Sequence, residues 1–110
     1  MDGIGRPTPG HLAVSAANAP VSVVLPAKLD DQLFLAGVEW SFDRPPLATL
    51  SIQFGANLVK QWFILNEGPG AIMWVPPIVA PKNTAITVTL SAGGKNVLAT
   101  LMVNEYEQLP

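Results

Sequence analysis

Between Ala85 and Tyr106 the chain alternates apolar and polar residues with a period of two, and this limits the folds open to it more than any other feature. Ile86, Val88 and Leu90 are interleaved with Thr87, Thr89 and Ser91; after Ala92-Gly93-Gly94-Lys95-Asn96, the residues Val97, Ala99, Leu101 and Val103 resume the pattern. A pleated strand sends successive side chains to opposite faces, so this spacing describes a strand buried on one side. A helix is disfavoured because β-branched residues recur on both sides of the break. The glycines and Asn96 tolerate positive φ, and the segment is expected to be a β-hairpin closed by a tight turn.

The same period recurs upstream. Val21–Leu25 forms a short strand closed by Pro26. In Gln32–Phe42, the residues Phe34, Ala36, Val38, Trp40 and Phe42 share one parity, which makes Trp40 the largest expected core contributor. Asp43-Arg44-Pro45-Pro46 must be a loop, since consecutive prolines remove ladder donors. Thr49–Phe54 turns Leu50, Ile52 and Phe54 inward, Gly55-Ala56-Asn57 is a turn, and Leu58–Leu65 is the next strand. Alternation fails at Trp62-Phe63-Ile64-Leu65 and again at Ala71–Val75, both apolar on both parities and separated by the turn Asn66-Glu67-Gly68-Pro69-Gly70. Six to eight short strands with Pro/Gly turns indicate an all-β antiparallel β-sandwich or jelly roll. The expected organisation is an extended or flexible N-terminal arm over residues 1–20, either floppy or lying across a neighbour, then a single sandwich domain over 21–110.

With 110 residues the chain suits one domain with a real core. Apolar residues make up 49% and charged residues 13%, against about a quarter charged in ordinary soluble domains, so part of the apolar surface is expected to be covered by other subunits. Net charge is −2 and the six basic residues are scattered, which leaves no footprint for nucleic acid. Without cysteine there are no disulfides and no thiolate chemistry. No apolar run approaches the roughly 18 residues of a membrane-spanning helix, and the N-terminus lacks the order of a signal peptide. Synthesis in a cytosol follows as the expectation.

Catalytic groups are sparse. His11, the one histidine, falls in the irregular arm, where nothing holds a Ser-His-Asp arrangement. Asp30-Asp31 point in different directions and lack further loop oxygens for calcium. Glu39, Glu105 and Glu107 read as solvated or rim charges, and Glu67-Gly68-Pro69-Gly70 lacks the Lys-Ser/Thr of a phosphate loop. No enzyme, metal or cofactor is expected. Aromatic residues and methionine are enriched at interface centres, so the doubly apolar strands nominate Trp62, Ile64, Met73, Trp74 and Val75 for subunit contact.

The segments GVEWSFDRPP, NEGPGAIMWVPP and NTAITVTLSAGGKNV, followed by LMVNEYE, resemble small virion structural proteins of tailed bacteriophages and prophages. The likeness covers roughly Leu35 to Tyr106, and departs from the pattern at Asp43-Arg44-Pro45-Pro46, where a Gly-containing turn is expected. It implies a capsid cement or decoration protein, commonly a homotrimer, sitting on the major capsid protein at the virion surface after synthesis in the host bacterial cytoplasm. The alternative is a receptor- or carbohydrate-binding module of a tail fibre or baseplate, with Trp62 or Trp74 exposed beside polar groups.

Overall fold

The computed structural model describes the backbone of residues 3–7 and 10–109 and the side chains of residues 10–106. It is an antiparallel β-sandwich without a helix among the described residues. The strands are β1 (Gly3–Pro7), β2 (His11–Val14), β3 (Val21–Leu25), β4 (Phe34–Phe42), β5 (Ala48–Phe54), β6 (Asn57–Ile64), β7 (Gly70–Val79), β8 (Ile86–Leu90) and β9 (Ala99–Leu109). One sheet runs β1-β9-β4-β7, with β2 also on β9; the other runs β3-β8-β5-β6. Of the eight connections, six pass from one sheet to the other and only β5–β6 is a hairpin.

That topology corrects the hairpin expected at Ala85–Tyr106. Both strands form, but β8 pairs with β3 and β5, whereas β9 pairs with β4, β1 and β2. Alternation says that one face is buried, not which strand lies alongside. In a sandwich the two apolar faces meet across the gap of about 10 Å between sheets. Gly94 and Asn96 do adopt positive φ, 126° and 62°, but they shape a crossing link. Val97 plugs that link into the core, and it is tied to the β4–β5 loop. There the Leu98 N–H donates to Asp43 Oδ1 at 2.8 Å and the Asp43 N–H donates to the Leu98 carbonyl at 3.0 Å.

Leu35, Val38, Phe42, Ala99, Leu101 and Val103 from one sheet meet Val21, Val23, Leu25, Leu50, Ile52, Ile86, Val88 and Leu90 from the other. Each buried aliphatic side chain of this size contributes about 1.5–3 kcal/mol of transfer free energy. Parity in β4 departs from expectation. Leu35 lies opposite Glu105 but Gly37 opposite Asn104, so Ala36 is an extra residue that reverses the side-chain phase. Upstream of this bulge Leu33 and Leu35 enter the core cluster, while Phe34 and Ala36 are buried outside it. Trp40, expected to fill the interior, packs against the core only partly buried, its indole over Gly70, where any Cβ would meet the ring.

Within residues 1–20, expected as an extended or flexible arm, two described segments run extended along the chain's own last strand. Gly3–Pro7 and His11–Val14 both pair with β9. The contact is fastened at Ser15, which is buried. Its Oγ accepts the Ala99 N–H at 2.8 Å, and its N–H donates to the Ala99 carbonyl at 2.9 Å. Residues 11–15 therefore belong to the sheet. Ser15→Ala should cost about 1–3 kcal/mol in denaturant unfolding, because it leaves a buried Ala99 N–H without its acceptor. A loss below about 0.5 kcal/mol would mean that this fastening is not structural.

Candidate functional site

The two doubly apolar segments become the edge strands on one side of the sandwich: β6 borders one sheet and β7 the other. Register decides which residues turn inward. In β6, Trp62 lies opposite Leu50 and Ile64 opposite Ala48, both core positions, while Phe63 lies opposite Thr49 on the outer face. In β7 the partly buried Ile72 and Trp74 alternate with the exposed Ala71, Met73 and Val75. Trp62 and Trp74 meet between the sheets with ring centroids 6.1 Å apart and planes tilted by 35°. That separation is within the range of favourable aromatic pairs. The pair thereby closes the open side of the sandwich.

Beyond the pair, β7 leaves its neighbour. Leu35 is opposite Ile78 but Gly37 opposite Met73, so the four residues Trp74–Pro77 face the single residue Ala36. The excursion throws Val75 out to 94% exposure. Met73 lies across Gly37, where a side chain would strike its thioether. Of the thirteen large apolar side chains exposed among the described residues, four (Leu58, Val59, Phe63, Leu65) are on β6 or just past it and three (Met73, Val75, Val79) on β7. Seven of thirteen thus fall within 22 residues, on the two edge strands and the link between them. A cavity of about 260 Å³ lined by Leu47, Ala48, Thr49, Phe63, Leu65 and Ser91 adjoins them.

Of the five residues nominated from sequence, Met73 and Val75 are open at this edge. Ile64 is 6% exposed within the core, which corrects its assignment to an interface; Trp62 and Trp74 are spent mainly on each other. Phe63, 81% exposed, together with Leu65 and Leu58, was missed. The signal was available: Trp62-Phe63-Ile64-Leu65 must send one parity out, and choosing Trp62 and Ile64 for the core would have nominated Phe63 and Leu65.

A second concavity, about 440 Å³, opens on the outer face of the β4 sheet. Leu12 and Met102 line it beside Glu39 and a hydroxyl pair, Ser41 and Thr100, whose oxygens are 2.7 Å apart, while Trp40 borders it from the inward parity that it shares with Val38 and Phe42. Other polar residues have local partners. His11 Nε2 is 3.5 Å from Glu105 Oε1. Asp30 and Asp31 form a turn with Asn83: the Asp30 N–H donates to Asn83 Oδ1 at 2.7 Å and the Asn83 N–H to the Asp31 carbonyl at 3.2 Å. Among the described residues no three His, Cys, Asp or Glu side chains gather as a metal site. Glu107 lies on β9, its side chain outside the described residues.

No protein-family model matches the sequence, and no curated protein matches it. Among solved structures it is similar to a carbohydrate-binding module, CBM36, in complex with calcium and xylotriose: TM-score 0.48, 14% identity, covering 96% of this chain and 93% of that one. The CBM36-1 domain of a multidomain xylanase from the hindgut metagenome of Trinervitermes trinervoides gives 0.48 and 13%, over 88% and 77% of the two chains. A ruminal GH26 endo-β-1,4-mannanase gives 0.42 and 18%, over 86% of this chain and 19% of that one. These are distant likenesses of outline.

The tryptophan pair can be tested by itself. A double-mutant cycle of Trp62→Leu and Trp74→Leu in denaturant unfolding should give a coupling of about 0.5–1.5 kcal/mol. Additive losses would show that the two rings stabilise the sandwich independently.

Proposed function

We propose that this is a non-catalytic structural protein that works by assembly, attaching to a virion shell as a cement protein through the side bounded by β6 and β7. The observation that carries this reading is the concentration of seven exposed large apolar residues between Leu58 and Val79. Exposed apolar side chains concentrated on two neighbouring edge strands mark interaction sites, since leaving them in water is unfavourable. Low charge content and the resemblance of Leu35–Tyr106 to phage virion proteins support the setting. A cement protein that binds assembled shell, and not free or unfolded subunits, stabilises the shell by mass action.

Phe63→Asp and Val75→Asp test it, because both side chains stand outside the core. Each variant should keep its thermal midpoint within a few degrees, surface changes usually costing within about 0.5 kcal/mol. Each should weaken co-sedimentation with empty shells at least tenfold, about 1.4 kcal/mol. Undiminished binding by both would remove this side of the molecule from the reading.

One observation favours a second reading, a glycan-binding module. The outer-face concavity combines the apolar Leu12 and Met102 with Glu39 and the Ser41–Thr100 hydroxyl pair. Pyranose recognition uses an apolar surface for the sugar face and a few fixed polar groups for its hydroxyls. Neither Trp62 nor Trp74, which face each other, lines this cavity, and Trp40 shares the inward parity of Leu101, so its apolar wall is aliphatic rather than aromatic. If the reading holds, calorimetric titration with oligosaccharides should detect binding that Glu39→Gln weakens at least fivefold, without altering thermal stability. Equal affinity in both proteins, or no binding across a glycan array, would exclude this cavity.

A further inference from the structure

The sandwich has several free strand edges, and they are not equivalent. β3 is five residues long and flanked by Pro20 and Pro26; β2 has four residues; β1 ends in Pro7. β7 carries Pro76 and Pro77 and swings away from its neighbour over Trp74–Pro77. Prolines, short length and bulges are the devices that stop a sheet edge from accepting another strand. β6 has eight residues, no proline, no acid and a single charge, Lys60. Its one guard is the bulge at Val59, where pairing steps from Ile52–Lys60 to Gln53–Leu58. From Lys60 to Ile64 its register with β5 is regular, and among the described residues no strand lies beside its outward edge.

We infer that β6 pairs antiparallel with β6 of a second copy about a two-fold axis, joining two four-stranded sheets into one of eight strands. This rests on the reading of the β6–β7 side as the assembly surface, and it names the partner. Isologous pairing brings the same patch to both sides of the contact. Directly opposed residues in an antiparallel pair share a face, so over Lys60–Ile64 the axis must pass through a residue position. At Lys60 it would set ammonium against ammonium. At Gln61 it opposes two neutral amides on the outer face and puts each Lys60 across from the partner subunit's Trp62. Phe63 then has an apolar neighbour in the partner subunit's 58–59 segment. The same axis turns the two β7 edges toward each other, because β7 lies under β6 at the Trp62–Trp74 contact. A two-fold dimer is the outcome, in place of the trimer that the phage resemblance implies.

The chain has no cysteine, so one introduced thiol reports one contact. Gln61→Cys, at an exposed position, should oxidise to a reducible disulfide dimer at micromolar protein, while Ala56→Cys in the exposed β5–β6 turn stays uncrosslinked. Light scattering with size exclusion should show the unmodified protein at twice 11.6 kDa. Phe63→Lys should raise the dimer dissociation constant at least tenfold with an unchanged circular dichroism spectrum, which covers the case that the cysteine variant folds poorly. A trimer with no Gln61→Cys crosslink would overturn the two-fold pairing and leave the assembly reading standing. A monomer that still co-sediments with shells would also overturn the pairing while preserving attachment. A monomer that binds no shell would overturn both.

Discussion

Strand β9 is the member that the rest of the fold depends on. It pairs with β4 along one edge and with β1 and β2 along the other, and its inward residues Ala99, Leu101 and Val103 are buried against the opposite sheet. The chain cannot complete this sheet until its last residues are in place, since β4 and the N-terminal strands meet only through β9. Long-range pairing of this kind is costly in loop closure and slow to form. It also explains why the start of the chain is held at all. The residues from His11 to Ser15 bury little apolar surface, since Leu12 and Val14 point outward, and their order comes from a ladder that another strand offers.

Much of the secondary structure is readable from the sequence, and the limits of that reading are physical. Period-two alternation locates β3, β5, β8 and β9 because it records one-sided burial directly. It is silent about neighbours, so β8 and β9 resemble a hairpin until one sees that their apolar faces oppose each other across the core. A single inserted residue defeats it too: Ala36 moves the core role from Phe34 to Leu35, with nothing in the composition of the segment to announce the change. The β6–β7 region is readable as a location and not as a set of residues. Two apolar parities show that something must leave the core, while register with Leu50 and Ala48 decides that Phe63 leaves and Ile64 stays.

The exposed edge follows from how the open side of the sandwich is closed. Two sheets joined mostly by crossing links end on this side in β6 and β7, and the gap between them must be filled from within. Trp62 and Trp74 fill it, being large enough to reach each other across the sheets. Once those parities are committed inward, the alternate residues Phe63, Met73 and Val75 are forced outward whatever their polarity. A domain with no further role would be expected to carry polar residues there. Retaining phenylalanine, methionine and valine leaves a surface that water disfavours, on the side where β6 also presents unpaired backbone groups. Apolar side chains and an open ladder at the same strand ask for the same thing, a second extended strand. That coincidence, more than either feature alone, is what the proposed assembly at β6 rests on.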